Sequence, residues 1–119
     1  MSVMDKKTIV NEFVSFCKDE LGFTNPIKIS LTNKTDKLVT HAIYDFTNNE
    51  IRVYSKNRHL VDVLRSLAHE LVHHKQIEDG RIDFNNLPQD IGGEIEDEAN
   101  SLAGQIIKKF TYKFDGIYE

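Results

Sequence analysis

A chain of 119 residues with 39% hydrophobic and 29% charged residues has the length and composition of one ordinary globular domain, which excludes a collagen-like or disordered chain and leaves little room for a second module. The net charge is −4, and Glu78, Asp79, Asp83, Asp90, Glu94, Glu96, Asp97 and Glu98 face only Arg81 in their stretch; that balance argues against nucleic acid as a partner, because phosphate backbones need clustered lysine and arginine. Cys17 is the only cysteine, which excludes an intrachain disulfide and a thiolate-built zinc site and leaves Cys17 as a small buried hydrophobe.

In chain order, Ile9, Val10, Phe13, Val14, Phe16, Cys17 and Leu21 recur at helical spacing, and Gly22 with Pro26 ends the pattern, so residues 5–21 read as an amphipathic helix. Ile27 to Thr32 alternates apolar and polar residues and reads as a short strand, followed by turn composition in "NKTDK". Val39 to Phe46 and Ile51 to Tyr54 flank Thr47, Asn48, Asn49 and Glu50, a hairpin signal. The expected product is a sheet of about three strands.

Asn57 can cap a long helix running to about Glu78, with Gly80 just beyond its end. After a polar loop and Pro88, a second long helix is expected from about Asp90 to Phe110. The chain thus reads as a single α+β domain over residues 1–119, with three helices and one small sheet. No apolar run approaches the roughly 18 residues of a membrane span, and "MSVMDKKTIV" lacks the apolar core of a signal peptide, so no membrane partner is expected and the cytoplasm is the expected compartment.

The chemistry concentrates in "RSLAHELVHHKQ", Arg65 to Gln76. On a helical wheel with Leu60 at zero, the apolar residues Leu60, Val61, Val63, Leu64, Leu67, Ala68, Leu71 and Val72 centre near an angle of about 30°, while His69 and His73 fall between about 140° and 240°. The two histidines therefore share a face away from the apolar arc, one turn and about 6 Å apart along the axis. That spacing lets two imidazoles converge on one ion, and Glu70 can reach a water on that ion without ligating it, which is the content of H-E-x-x-H. The bland alternative is a solvated face with two histidines; the frequencies of His and Glu in this chain give the pattern by chance in roughly 1 to 2% of such sequences. His74, about 100° further round, reads as a packing neighbour or a support for a ligand rather than as a ligand.

A catalytic zinc takes three protein ligands. "GGEIEDEANSLAG", Gly92 to Gly104, offers Glu94, Glu96 and Glu98. With the apolar arc of this helix as reference, Glu96 lies about 70° from its centre, Glu98 about 90° and Glu94 about 130°, so Glu96 is nearest the buried interface. Asn100 follows one turn on, placed to orient a ligand histidine. Gly92, Gly93 and Gly104 suggest that this helix approaches a neighbour closely. Without "HELVH", a solvated acidic helix start would be the preferred reading of Glu96.

"HELVHH" followed by a helical "EIEDEAN" resembles the gluzincin clan of zinc metallopeptidases, in which H-E-x-x-H is completed by a glutamate from a later helix, often as E-x-x-A-[D/N]. The small size, the strand "IRVY" before the histidine helix and "EAN" with a following "LAG" look most like minimal gluzincins and the ImmA/IrrE-type metallopeptidases, many of them encoded by phages. The resemblance implies a zincin-like fold with HExxH on the central helix and the third ligand on the C-terminal one. It implies Zn2+ held by His69, His73 and Glu96, with Glu70 as general base and Asn100 supporting a ligand. It further implies a protein or peptide substrate and a rim strand, Ile51, Arg52, Val53 and Tyr54, that pairs with the extended substrate. A monomer is the default expectation, in the host cytoplasm if the chain is phage-encoded.

Larger gluzincins carry a C-terminal subdomain that supplies a histidine or tyrosine to stabilise the oxyanion, whereas only 23 residues follow Glu96 in this sequence. Tyr44, Tyr54, His41 and Tyr112 are the candidates for that task. The tail "FTYKFDGIYE" motivates a second expectation, a zinc-bearing binding or latent domain in which Asp115 or Glu119 folds back over the metal position.

Overall fold

The computed structural model describes residues 6–32, 42–45, 47–56, 58–82 and 93–113. Their order is α1 (Lys6–Leu21), β1 (Lys28–Thr32), β2 (Ala42–Asp45), β3 (Glu50–Tyr54), α2 (Leu60–Glu78) and α3 (Glu94–Lys113). Three helices and a three-stranded mixed sheet make an α+β architecture.

Helix α1 forms where expected, and its buried residues Val10, Phe13 and Cys17 follow the helical period. Gly22 ends it at φ +77° and donates its N–H to the Lys18 carbonyl at 2.8 Å, a left-handed position that suits glycine. Burial also pushes the Cys17 thiol up, with the Glu20 charge adding to it, so the sulfur stays protonated.

The sheet order is β1-β3-β2. β3 runs parallel to β1, with Ile29 opposite Ile51 and Leu31 opposite Val53, and antiparallel to β2, with Tyr44 opposite Ile51 and Ala42 opposite Val53. Its burial alternates, Ile51 and Val53 being fully buried toward the helices while Glu50, Arg52 and Tyr54 point to the other face. At the hairpin the Asp45 carboxylate accepts the N–H groups of Thr47 and Asn48 and the Asn48 side chain, and Asn49 takes φ 52°. The strand is therefore central, with a hydrogen-bonded ladder on each side. This corrects the expectation that Ile51, Arg52, Val53 and Tyr54 form a rim strand for substrate: Ile51, Arg52 and Val53 have a partner strand on both sides, and Tyr54 stands opposite Thr32 of β1.

Helix α2 ends at Glu78, as its pattern indicates. Gly80 sits at φ +77°, its N–H bonds the Ile77 carbonyl, and the Arg81 N–H bonds the Gln76 carbonyl at 2.9 Å, which closes the last turn in the Schellman manner. Its start differs from expectation: the cap position is His59 in extended conformation with no side-chain cap bond, and Asn57 lies outside the described residues. Helix α3 starts at Glu94 and extends three residues past Phe110. Asp90 and Gly92 lie outside the described residues, and Gly104 is exposed with open space around its Cβ position, so no close approach depends on it.

The core joins all of these elements. Phe13 and Phe110 meet edge to face at 4.9 Å, both fully buried, with Phe16 at 5.5 Å from Phe110. Leu64, Leu67, Ala68 and Leu71 of α2 and Ala103, Ile106 and Ile107 of α3 complete the cluster. Phe110→Ala is expected to destabilise the fold by about 3–5 kcal/mol, measured by urea unfolding, because it removes a ring from two aromatic contacts and leaves a cavity.

Glu78 anchors the segment between α1 and β1. Its carboxylate accepts the Thr24 N–H at 2.7 Å, the Thr24 hydroxyl at 3.1 Å and the Asn25 N–H at 2.5 Å. Those bonds, first of them the one from Asn25, hold the Glu78 carboxyl below its usual 4.5. The unfolded chain then binds more protons than the folded one as acid is added, so this stabilisation is present above 4.5 and is lost as the pH falls through the lowered folded value. A Glu78→Gln protein should melt below the wild type at neutral pH, with the gap closing on acidification below 4.5.

Candidate metal centre

His69 and His73 lie one turn apart on α2, on the side covered by the start of α3. The face opposite the apolar arc is thus an interface rather than a solvated surface: the side chains of His69 and His73 are 22% and 14% exposed. His69 Nε2 and His73 Nε2 approach to 3.2 Å, with the rings nearly perpendicular. Glu96 closes the triangle, Oε1 at 2.8 Å from His73 Nε2 and Oε2 at 3.1 Å from His69 Nε2. Ligands on a tetrahedral zinc with bonds of about 2.0–2.1 Å stand about 3.3 Å apart. The two nitrogens, 3.2 Å apart, fall close to that edge, and each faces a different oxygen of Glu96, so the three side chains could hold a metal ion once one carboxylate oxygen turns toward both rings.

The chemistry of the donors points the same way. His73 Nδ1 lies 2.7 Å from Gln76 Oε1. The Gln76 amide is oriented by its other end, where Nε2 donates to the Ile95 carbonyl at 3.2 Å and to Glu98 Oε1 at 3.0 Å. An amide oxygen only accepts, so His73 Nδ1 carries a proton and Nε2 is the nitrogen whose lone pair can face the centre. Two acceptors, His73 Nε2 and Glu96 Oε1, then stand 2.8 Å apart. Either a proton on that nitrogen or a cation shared by all three groups settles the contact.

The side chain of Asn100 hydrogen-bonds His69, as its spacing one turn beyond Glu96 suggests. Burial holds His69 below its ordinary value, with the neighbouring His73 adding to the effect and Glu96 and Asn100 opposing it, which favours the neutral, ligating imidazole. Glu70, half-buried beside this group, is pushed up to about 7 by burial; His73 pulls it down and the Glu96 carboxylate raises it. It is not among the three groups that converge, which fits a carboxylate near the ion rather than on it.

His74 is not a ligand and does not touch one through its ring nitrogens. It is 2% exposed, its Nε2 donates to the Asn25 carbonyl at 2.8 Å, and its Nδ1 therefore accepts from the Tyr44 hydroxyl at 2.6 Å. Phe23 packs edge-on against its ring at 5.1 Å. Its job is to tie β2 and the segment after α1 to α2.

Of the three described candidates for an oxyanion donor, Tyr44 is the one placed near Glu70, whose charge, after burial, helps to push the phenol up to about 12. Tyr54 lies on the sheet face away from α2. Tyr112 is 79% exposed and four turns beyond Glu96 on α3, roughly 24 Å along the helix. His41, Asp115 and Glu119 lie outside the described residues.

Gln76 was the functional residue hardest to see in the sequence. It is 1% exposed, three residues after His73. Its only sequence signal was membership of the same polar arc as the histidines, which a solvated glutamine shares. Glu98, second in the ranking of carboxylates, bonds Gln76 and Arg81 instead of the metal position, and those two contacts hold it below the ordinary carboxylate value. In comparisons with protein-family models, curated proteins and solved structures, nothing matches the chain. Among the described residues no helix is long and apolar enough to cross a membrane.

Proposed function

We propose that the chain is a zinc-dependent metallopeptidase with a zincin-like arrangement of its helices, in which His69, His73 and Glu96 hold the ion and Glu70 is the general base. The observation that carries this reading is the convergence of His69 Nε2 and His73 Nε2, 3.2 Å apart, on the Glu96 carboxylate, whose Oε2 lies 3.1 Å from the first and whose Oε1 lies 2.8 Å from the second. Two nitrogens and one oxygen, half-buried, are the donor set of a catalytic zinc, which leaves one position for water. A zinc ion held there supplies a Lewis acid that acidifies its water to a pKa of about 7 and polarises a carbonyl.

The chain's own residues supply the rest. Glu70, next to His69 on α2 and within the electrostatic reach of Glu96 and His73, is the carboxylate that would hold and pass a proton beside the ion. The Gln76 amide and the Asn100 side chain hold the rings of His73 and His69. The peptide substrate rests on the resemblance of "HELVH" and "EDEAN" to gluzincins. The test is to incubate the zinc-loaded chain with an unfolded protein: chelator-sensitive cleavage supports the reading, and an intact substrate at full zinc occupancy overturns peptide hydrolysis while leaving the metal centre.

A further inference from the structure

Gln76 and Glu98 do more than fill space at the helix interface. Gln76 has an obligation at each end: His73 Nδ1 at 2.7 Å must find an acceptor, while the Ile95 carbonyl at 3.2 Å and Glu98 Oε1 at 3.0 Å must find a donor. Only an uncharged side chain with an acceptor at one tip and a donor at the other meets both. A carboxylate at position 76 would face Glu98 and a carbonyl, and an apolar residue would leave His73 Nδ1 without a partner. Glu98 is in turn held by Arg81 Nη1 at 2.5 Å, and Arg81 is set in place by the turn that closes α2 on the Gln76 carbonyl.

We propose that Gln76 and Glu98 are positioning residues of the metal centre, a relay in which Glu98 fixes the orientation of the Gln76 amide and the amide fixes the proton of His73 on Nδ1, so that Nε2 is presented to the ion before any ion binds. The usual arrangement puts a carboxylate or a backbone carbonyl behind a ligand histidine. Here a neutral amide does that task, and the carboxylate stands one step further out on α3. The consequence is that the geometry of α2 and α3 sets metal affinity through two side chains that never touch the ion.

The relay rests on the metal-centre reading, and the experiment separates the two. Nitrogen-15 spectra of the histidine rings in the metal-free wild type, recorded at alkaline pH where imidazole is neutral, should show His73 protonated on Nδ1. Gln76→Met keeps the length and volume of the side chain; it should release the ring to a mixture of tautomers and weaken zinc binding by about 10- to 100-fold in chelator competition. Glu98→Ala removes the acceptor that orients the Gln76 amide and should weaken zinc binding severalfold, with part of the loss recovered in Glu98→Gln, which restores an acceptor oxygen; affinity equal to the wild type in Glu98→Ala takes Glu98 out of the relay. A wild-type His73 with no proton on Nδ1 overturns the relay without any variant. Unchanged tautomer and affinity in Gln76→Met overturn it as well, while zinc binding by the wild type stands. A wild type that takes up no zinc overturns the metal reading and the relay with it.

Discussion

Glu70→Gln is expected to keep about one zinc per chain and to lower peptide hydrolysis by at least about 10²- to 10⁴-fold, the contribution of a positioned general base. The substitution is nearly isosteric, and Glu70 is not one of the three converging groups, so the site that holds the ion keeps its shape. What disappears is basicity. Burial raises the Glu70 carboxyl above its ordinary value in the metal-free chain, and a carboxylate can accept a proton and give it up, whereas an amide does neither. Zinc content by mass spectrometry and cleavage of an unfolded protein, measured on the same preparation, check both halves of the expectation. Loss of zinc together with activity would mean that Glu70 belongs to the ligand set.

His73→Ala should weaken zinc binding more than about 100-fold, beyond what removal of a supporting residue costs. Three donors become two, and Glu96 Oε1 loses the partner at 2.8 Å that holds it over the site. One further group is stranded: the Gln76 oxygen loses its donor, while its Nε2 stays bonded to Ile95 and Glu98. His69→Ala removes one donor and its link to Asn100, a more exposed neighbour, so its loss should be somewhat smaller. Chelator competition on the two variants measures the difference. Equal affinity in wild type and His73→Ala would remove His73 from the centre.

Where one physical rule decided the outcome, the sequence was readable. The period of Val10, Phe13 and Cys17 located α1, and glycines at φ +77° marked the ends of α1 and α2. Glu96 was separable from Glu94 and Glu98 because a ligand must lean toward the helix it shares an ion with, and the wheel ranks that lean. Asn100 followed from the same geometry, and the structure joins it to His69.

Pairing partners, by contrast, are not written in a strand's own residues. "IRVY" alternates in the same way whether it lies at an edge or at the centre, and the parallel ladder with β1 that makes it central depends on residues 22 positions earlier. The polar face of α2 reads as metal-binding at His69 and His73, but for the rest of it charge patterns do not distinguish water from a second polar helix. That face meets α3, which is why Gln76 is buried and bonded rather than exposed. The His59 cap shows a smaller version of the same limit: its lack of a side-chain bond gives it no signature.

Whether His69, His73 and Glu96 hold one metal ion between them is open to direct measurement. Metal analysis by mass spectrometry on the purified wild type and on a protein with both histidines replaced by alanine tests it most directly. About one zinc per wild-type chain and essentially none in the double variant is the predicted result. No stoichiometric metal in the wild type, or the same zinc content in both proteins, would contradict it.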